Sequence, residues 1–418
     1  MSTTKSSPIK VMVVFGTRPE AIKMAPVCRS LLKRPNDFKT IVILTAQHRA
    51  MLDQVMSLFQ IKADHDLNIM QQDQTLEYVV TGVIEKVTPI LKAEKPDIVL
   101  VHGDTVTTFA AALAAFYQKI PVGHVEAGLR SFDMHNPFPE ESNRVLTDHL
   151  CTLHFAPTHQ AKENLLKENI DKEKIFVTGN TVTDALFIAI KEPHTWTDPT
   201  LIKLFDPKKH AEAVQPASRM ILVTAHRREN HGAPLENVFR ALRRIVDENP
   251  GVYIVYPVHL NPNVQKSAKQ ILGQHPNIHL IPPIDYLDLV NLLEKAYIVV
   301  TDSGGIQEEG PALGKPVLVL RKVTERPEAV AAGTAKVIGV DEQGVYQDVK
   351  ELLTNQRVYE RMANAVNPYG DGKATLRILD AIRFHFKVWD ERPAEFMGDL
   401  AAAPHSLWPR LSRRTETI

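Results

Sequence analysis

Three acidic side chains follow short apolar runs in the first third of the sequence. Asp104 lies in the segment VHGDTVTT, Glu126 in HVEAGLRS, and Glu140 in NPFPEESNR. The ends of neighbouring parallel strands share one edge of a sheet, so these carboxylates could surround a single pocket. Crowded carboxylates raise one another's pKa, which leaves one protonated as an acid and another ionised as a base. The pattern predicts an acid/base site without a metal.

Each of these carboxylates also has an alternative local explanation. Asp104 could cap the helix that follows it, because Asp is favoured at that position. Glu126 could pair with Arg130. Glu140 and Arg144 are spaced i,i+4, which is the spacing of an ordinary helical ion pair. A metal site is a further rival, with three histidines as extra ligands, but the spacing of His102, His124 and His135 matches no zinc signature.

The segment TDSGGIQEEG, residues 301–310, follows an apolar run and predicts a strand that turns on small residues into a helix. Backbone N–H groups at such a junction suit a phosphate. Ser303, Gly304 and Gly305 let an anion approach the backbone closely. Glu308 and Glu309 follow one turn later, where a carboxylate could accept hydrogen bonds from a ribose. The alternative is an ordinary strand–helix turn, since Ser-Gly-Gly turns are common.

Basic side chains recur at the ends of other predicted strands. Arg18 and Lys23 lie in FGTRPEAIKMAP, which has one glycine where a dinucleotide fingerprint has three, so NAD is not expected as a cofactor. Both side chains could reach a phosphate, although Arg18 could instead pair with Glu20 on the surface. His226 lies in the basic segment TAHRREN, and His259 follows another predicted strand. We expect this cluster to face a diphosphate.

The composition indicates a soluble two-domain protein. The chain has 418 residues, 44% of them hydrophobic, and a formal net charge of zero, which argues against a nucleic acid or an anionic membrane as the main partner. The two cysteines, Cys28 and Cys151, lack metal-ligand spacing and are expected to be reduced thiols. No apolar stretch predicts a signal peptide or a membrane span, so we expect a cytoplasmic location.

Apolar runs rich in Val and Ile alternate with helical patterns in two series. This predicts an α/β fold of two doubly wound, Rossmann-like domains that face a central cleft. The predicted boundaries are residues 1–185 for the first domain and 215–368 for the second, with a connection over 186–214 that contains a short helix near 199–205. A helix over about 370–386 is predicted to cross back onto the first domain, and 387–418 forms an unassigned tail.

These motifs resemble the non-hydrolysing UDP-N-acetylglucosamine 2-epimerase family. The matching segments include FGTRPEAIKMAP, TAQHR, VHGDTVTT, HVEAGLR, PFPEESNR, VTGNTVTDAL, TAHRREN and TDSGGIQEEGPALGKPVLVLR, and they run in family order over about residues 10–385. The resemblance implies a glycosyltransferase-B-like architecture and epimerisation of UDP-N-acetylglucosamine (UDP-GlcNAc) to UDP-N-acetylmannosamine (UDP-ManNAc) without a cofactor. It also implies a homodimer and a role in polysaccharide biosynthesis, without indicating which pathway.

Residue roles follow from the same resemblance. The diphosphate would be held by Arg18, His226, Ser303, Gly304 and Gly305, and the uridine ribose by Glu309. Asp104, Glu126 and Glu140 would supply acid/base chemistry, with Lys23 as a supporting cation and His226 stabilising UDP as it leaves. A second, regulatory UDP-GlcNAc site would be lined by Gln47, Arg227, Glu229 and His259. Ala50 and Asp73 depart from the pattern expected beside that site, which puts activation, though not catalysis, in doubt.

Other functions share the predicted architecture. A glycosyltransferase also binds a nucleotide-sugar between two such domains, but it needs an acceptor. A hydrolysing epimerase would release free ManNAc and UDP. A catalytically inactive UDP-sugar sensor would bind without turnover, which the three carboxylates argue against. Hinge motion near residues 181–218 is expected to close the cleft over the substrate.

Overall fold

The protein folds around two separate parallel β-sheets. The computed structural model describes residues 7–45, 49–69, 71, 74–205 and 218–398. The first sheet has seven strands in the order β3-β2-β1-β4-β5-β6-β7, and the second has six in the order β10-β9-β8-β11-β12-β13. We call each sheet with its helices a lobe. Two doubly wound sheets confirm the predicted fold class.

The strands of the first sheet are β1 (Ile9–Phe15), β2 (Phe38–Leu44), β3 (His65–Asp66), β4 (Ile98–His102), β5 (Val122–Val125), β6 (Leu153–Ala156) and β7 (Ile175–Val177). The helices of this lobe are α1 (Arg18–Leu32), α2 (Arg49–Leu58), α3 (Leu76–Glu94), α4 (Val106–Tyr117), α5 (Glu140–Leu150), α6 (His159–Lys167) and α7 (Thr181–Ala189). All strand pairs are parallel, so the polar segments that follow the strands gather at one edge.

The strands of the second sheet are β8 (Arg219–Thr224), β9 (Val252–Pro257), β10 (Ile278–Ile281), β11 (Ile298–Thr301), β12 (Val317–Val319) and β13 (Ala335–Val337). The later helices are α8 (Pro199–Phe205), α9 (Ala233–Glu248), α10 (Pro262–Ile271), α11 (Tyr286–Lys295), α12 (Ile306–Ala312), α13 (Pro327–Ala332), α14 (Glu342–Thr354), α15 (Gln356–Ala363) and α16 (Ala374–His385). The short helix predicted near residues 199–205 is confirmed, whereas 206–217 lie outside the described residues.

Helices cover both faces of each sheet, which explains the nearly continuous apolar strands. The β1 side chains Val11, Val13 and Phe15 pack into one hydrophobic cluster, while Met12 and Val14 pack into another on the opposite face. Alternate burial on two sides requires apolar residues at every position of a central strand. The second sheet is sandwiched in the same way.

The lobes meet through α11 and through the returning C-terminal helix. Tyr286 and Val290 of α11 pack into the hydrophobic cluster of the first lobe. Helix α16 packs against α1 and α7. Its first backbone N–H groups, those of Ala374 and Thr375, donate to the buried carboxylate of Asp184 at 3.2 and 2.9 Å. The first lobe is therefore built from both ends of the chain.

The longest helix of the described residues, α3, is absent from the β-α series identified in the sequence, as are α6, α13, α14, β3 and β13. Helix α3 is rich in β-branched residues and contains Pro89, features that weaken a helical signal. Its buried side chains nevertheless recur every four residues, at Val79, Val83, Val87 and Leu91. This stripe is the face of an amphipathic helix packed on the sheet.

The first part of the predicted tail packs along the outer strand of the first sheet. The backbone N–H of Phe396 donates to the carbonyl of Val177 at 2.8 Å, and Arg392 donates to the carbonyl of Ile175 at 2.7 Å. Glu395 pairs with Lys162 of α6 at 2.8 Å. These contacts occupy backbone groups of β7 that would otherwise form an open sheet edge.

Candidate active site

Asp104 and Glu126 follow two neighbouring strands, β4 and β5, whose register pairs His102 with Val125. Glu140 is the first residue of α5. The Asp104 carboxylate forms an ion pair with Arg144 of the same helix, and Asn143 donates to the Asp104 carbonyl at 2.9 Å. The N-cap of α4 is Thr105, not Asp104, so the capping explanation of Asp104 is wrong.

Glu126 is buried, and its carboxylate contacts one cation and one side-chain hydrogen-bond donor. Its carboxylate forms an ion pair with Lys23 of α1 and accepts a hydrogen bond of 2.8 Å from the Asn180 side chain. The His102 ring lies 3.8 Å away. The backbone of Glu126 has a φ of 68°, a conformation that is uncommon for a residue with a side chain and often marks a functional position.

Electrostatics favour the ionised form of Glu126. Burial would raise the pKa of this carboxyl, but Lys23, His102 and Arg326 outweigh burial and hold the pKa well below its usual value. Burial would likewise lower the pKa of Lys23, yet Glu126 and Glu308 keep it raised. Neighbouring cations, rather than the predicted crowding of carboxylates, therefore determine the charge of Glu126.

The structure also rejects two of the predicted local ion pairs. Arg130 pairs with Asp148 at 2.7 Å and with Glu168 at 2.6 Å instead of with Glu126. Arg144 pairs with Asp104, and with Glu141 at 3.3 Å, instead of with Glu140. Glu126 and Glu140 are thus not accounted for by the ion pairs that their sequence spacing suggested.

Arg18 begins α1 and lines a cavity of about 470 Å³ between the lobes. Residues of α2 and Tyr286 of α11 line the same cavity. Glu20 is buried and accepts hydrogen bonds from the N–H groups of Gly16 and Thr17 and from the Thr105 hydroxyl, at 2.8–3.1 Å. The alternative of a surface ion pair between Arg18 and Glu20 is therefore wrong.

The predicted strand–turn–helix at residues 301–310 is confirmed as β11 followed by α12. The Ser303 N–H donates to the Thr301 hydroxyl at 2.9 Å, and Gly305 is the N-cap of the helix. A Cβ atom built on Gly304 or on Gly305 would meet nothing within 4 Å. The backbone of this turn therefore borders open space, as close approach of a phosphate requires.

Glu309 lies buried behind the turn. Burial raises its pKa to about 7, and Glu308 pushes in the same direction, against the lowering effect of Tyr286, Lys23 and Arg18. This carboxyl is consequently poised between its neutral and ionised forms near neutral pH.

His226 is positioned by the buried carboxylate of Asp302. The backbone N–H groups of His226 and Arg227 donate to Asp302 at 2.7 and 2.8 Å, and the His226 ring nitrogen lies 3.2 Å from the other carboxylate oxygen. The ring stacks on His259 with centroids 5.3 Å apart. Burial lowers the pKa of His226, and His259 and Arg227 add to that effect against Asp302. Asp302 was not singled out in the sequence, although it stands in the same turn motif.

Sequence reasoning also missed the polar network that joins the lobes. Asn180 donates to Glu126 and to Glu308 of α12, both at 2.8 Å, and Arg326 forms an ion pair with Glu308. Asn180 stands in the quoted segment VTGNTVTDAL, just before a helix, and its side-chain oxygen caps α7 by accepting the Val182 N–H at 3.1 Å.

The predicted regulatory residues are only partly described. Arg227 and His259 lie beside His226, and Glu229 lies 3.4 Å from Arg321. Gln47 and Asp73 fall outside the described residues, and the side chain of Ala50 is not described either.

Within the described ranges, no group of three or more potential ligands could hold a metal ion, and Cys28 and Cys151 are free thiols. A search of the same ranges finds no helix that is long and apolar enough to span a membrane.

Comparison with known proteins identifies the family. The family model described as UDP-N-acetylglucosamine 2-epimerase matches residues 30–383. The chain belongs to the UDP-N-acetylglucosamine 2-epimerase family. The matched range includes both lobes except β1 and most of α1, so Arg18, Glu20 and Lys23 precede it.

Individual epimerases match almost the whole chain. The Bacillus subtilis UDP-N-acetylglucosamine 2-epimerase is 52% identical over 390 residues, which are 93% of this chain and 99% of the relative. The Neisseria meningitidis UDP-GlcNAc 2-epimerase bound to UDP-GlcNAc has 52% identity and a TM-score of 0.78, and the match covers 90% of this chain and 99% of the other. The S. aureus MnaA–UDP structure has 48% identity and a TM-score of 0.82, with 93% and 100% covered. These matches support a glycosyltransferase-B-like epimerase fold.

Proposed function

We propose that this family member is a non-hydrolysing epimerase that interconverts UDP-GlcNAc and UDP-ManNAc. The observation that carries the proposal is the buried Glu126 carboxylate, held ionised by Lys23 at the lobe junction and linked through Asn180 to the helix that follows the Ser-Gly-Gly turn. Related structures that contain UDP-GlcNAc or UDP support the ligand class.

The chemistry must open the anomeric C1–O bond. The proton on C2 of the sugar is not acidic, because no carbonyl is adjacent to that carbon. Breaking the C1–O bond sends its electron pair to UDP, and a base removes the C2 proton so that the C–H electrons form the C1=C2 double bond of 2-acetamidoglucal. In the reverse sense, UDP adds to C1 while an acid delivers a proton to the other face of C2. Atoms and electrons balance without an external oxidant.

The proposed diphosphate contacts come from both lobes. Arg18 would approach from the first lobe, and His226 with the backbone of Ser303, Gly304 and Gly305 would approach from the second. Groups already oriented towards developing negative charge stabilise a departing diphosphate without reorganisation. Glu309 would accept hydrogen bonds from the uridine ribose, close to the Tyr286 side of the cavity.

The proposed acid/base groups are Asp104, Glu126 and Glu140. Glu126 provides a carboxylate that is ionised and can therefore accept a proton, and its burial excludes water from that exchange. Lys23 stabilises that charge. The Asp104 carboxylate forms an ion pair with Arg144 in this structure. For Asp104 to act on a bound sugar, one of its carboxylate oxygens would have to be free of the Arg144 guanidinium.

We further propose a homodimer and a regulatory UDP-GlcNAc site lined by Gln47, Arg227, Glu229 and His259. Light scattering of the purified protein tests the dimer. Initial rates measured with UDP-ManNAc, with and without trace UDP-GlcNAc, test activation. A rate that does not respond to UDP-GlcNAc would remove the regulatory site from this protein and agree with the departures at Ala50 and Asp73.

Proton NMR of UDP-GlcNAc incubated with the enzyme in D2O tests the reaction. We expect UDP-ManNAc to appear up to an equilibrium mixture, with deuterium at C2 of both sugars. Free ManNAc and stoichiometric UDP as the end products would instead indicate the hydrolysing type. Tight binding without deuterium exchange would favour a sensor, and product formation that requires an acceptor would favour a glycosyltransferase.

A further inference from the structure

We infer that Asn180 is a positioning residue that makes the acid/base state of Glu126 depend on the placement of the second lobe. This inference rests on the proposed function. The Asn180 side-chain nitrogen donates to the Glu126 carboxylate of the first lobe and to the Glu308 carboxylate of α12 in the second, both at 2.8 Å.

Both polar atoms of the Asn180 side chain have hydrogen-bond partners. A side-chain amide has two N–H protons and one carbonyl oxygen. Each proton is directed to a different carboxylate, and the oxygen accepts the Val182 N–H at 3.1 Å. The Asn180 backbone N–H donates to the carbonyl of Tyr369 at 2.6 Å, in the segment that leads into α16. The side chain is buried, so water cannot readily replace a lost partner.

An ion pair lies on either side of Asn180, so each carboxylate that it contacts has its own cation. Lys23 pairs with Glu126 at one end, and Arg326 pairs with Glu308 at the other. A neutral amide that donates in both directions separates two carboxylates that would otherwise repel each other. Displacement of α12 with its lobe would change the distance between the two carboxylates. It would also break one of the two hydrogen bonds that the Asn180 amide donates.

These contacts give Glu308 a different role from that of its neighbour Glu309. Glu308 and Glu309 are adjacent in α12, and both were candidates for ribose binding. The pairing of Glu308 with Asn180 and Arg326 leaves Glu309 as the ribose ligand. Glu308 connects the nucleotide-binding helix to the proposed base.

Two substitutions with opposite expected effects test the inference. Asn180→Asp keeps an oxygen for the Val182 N–H but replaces both donated protons with negative charge. The acid limb of the kcat–pH profile should move to higher pH by about one unit, so kcat measured at a fixed pH on that limb should fall about tenfold. Glu308→Gln removes a negative charge, so its acid limb should move to lower pH. The groups facing Glu126 in this profile are Lys23, His102 and Arg326 directly, and Glu308 through Asn180.

The matched control is Asn230→Asp. Asn230 is also buried but donates to the backbone carbonyl of Leu320 in the second lobe, at 3.0 Å. This variant should leave the acid limb in place, whatever it does to stability. UDP affinity, measured by calorimetry, should change less than about threefold in Asn180→Asp. An unmoved acid limb, or a loss of UDP affinity as large as the loss of kcat, would overturn the inference.

A stability measurement separates this inference from the proposed reaction. The melting temperatures of wild type, Asn180→Asp, Glu126→Gln and the double variant form a cycle that does not depend on turnover. We expect Asn180→Asp to be less damaging when residue 126 is already neutral. If the changes in melting temperature caused by Asn180→Asp and Glu126→Gln simply add, the two side chains are not coupled and the inference is wrong. If the wild type does not exchange the C2 proton but the melting temperatures are coupled, the proposed reaction is wrong, and so is the catalytic role of Asn180. The electrostatic link between Asn180 and Glu126 would still hold.

Discussion

The Lys23 ammonium group forms an ion pair with the Glu126 carboxylate, and both side chains are almost completely buried. Lys23 lies one turn into the first helix, whereas Glu126 follows the fifth strand, so 103 residues separate them in the chain. Each charge is the principal reason that the other can be buried in its ionised form.

The first prediction concerns this pair. Lys23→Met should destabilise the protein by about 3–5 kcal/mol because it leaves a buried carboxylate without its cation. The double variant Lys23→Met/Glu126→Gln should recover much of that loss but none of the activity. Thermal unfolding of the four proteins in the cycle measures the coupling. A double variant whose destabilisation equals the sum of those of Lys23→Met and Glu126→Gln would show that the pair is not coupled.

The proposed acid/base set gives the second prediction. Asp104→Asn, Glu126→Gln and Glu140→Gln should each reduce turnover by about 10²–10⁴-fold while UDP binding is largely retained. Arg18→Ala should weaken UDP binding as well as turnover. Asp133→Asn, in an exposed loop, is the control and should retain activity. Full activity in any carboxylate variant would remove that residue from the catalytic set.

Glu309 provides a prediction about stability and pH. Its folded-state pKa of about 7 is higher than the ordinary value of 4.5, so the folded protein binds more protons than the unfolded chain between these values. Stability is therefore lost as the pH rises from about 4.5 to about 7. Glu309→Gln should remove this penalty, which amounts to about 3 kcal/mol above pH 7.

Melting temperatures at pH 5 and pH 8 measure the Glu309 effect. The stabilisation of Glu309→Gln relative to wild type should be larger at pH 8. The same variant should bind UDP more weakly if Glu309 holds the ribose. Equal melting-temperature differences at the two pH values would contradict a raised pKa.

His226 leads to a prediction about proton uptake. Its pKa lies below the ordinary value of 6.5, so the free imidazole is mostly neutral at pH 7. A diphosphate close to the ring favours the imidazolium form. Binding of UDP near pH 6.5–7 should therefore take up a proton, and calorimetry in buffers of different ionisation enthalpy detects it. The uptake should disappear in His226→Gln and become larger in Glu309→Gln, because a ribose bound to Glu309 favours its ionised form and releases a proton in the wild type.

The fifth prediction concerns the segment that covers β7. Phe396 is buried and its backbone bonds to Val177, so Phe396→Ala should cost about 3–5 kcal/mol of stability. Met397→Ala is the neighbouring control, because the Met397 side chain is 55% exposed. Similar melting temperatures for the two variants would show that the segment contributes little to the first lobe.

Much of the fold could be predicted because buried parallel strands impose a strong local pattern. The runs that became β1, β4 and β11 are apolar on both faces, and the motifs after them fall at the carboxyl ends of the strands. Helix α3 was missed because its β-branched residues weaken the helical signal, although its buried stripe has helical spacing.

Side-chain partners across elements were harder to predict. Arg144 has Glu140 at the favourable i,i+4 position, yet it pairs with Asp104 from β4. Such choices depend on which elements meet in space, and sequence spacing contains no information about that. For the same reason, the link from Asn180 to Glu308, 128 residues later, could not be inferred from a residue that also serves as a helix cap.

The return of α16 and the following segment onto the first lobe has a consequence for biosynthesis. The strands of the second lobe all come from one uninterrupted stretch of chain, from Arg219 to Val337. Most of the first lobe is translated earlier, but some of its contacts come from the end of the described chain. Ala374 and Thr375 donate hydrogen bonds to Asp184, and Phe396 donates one to Val177 of β7. The first lobe therefore reaches its full set of contacts only after the second lobe has been translated, and a nascent chain stalled before α16 would lack the donors to Asp184 and the cover of β7.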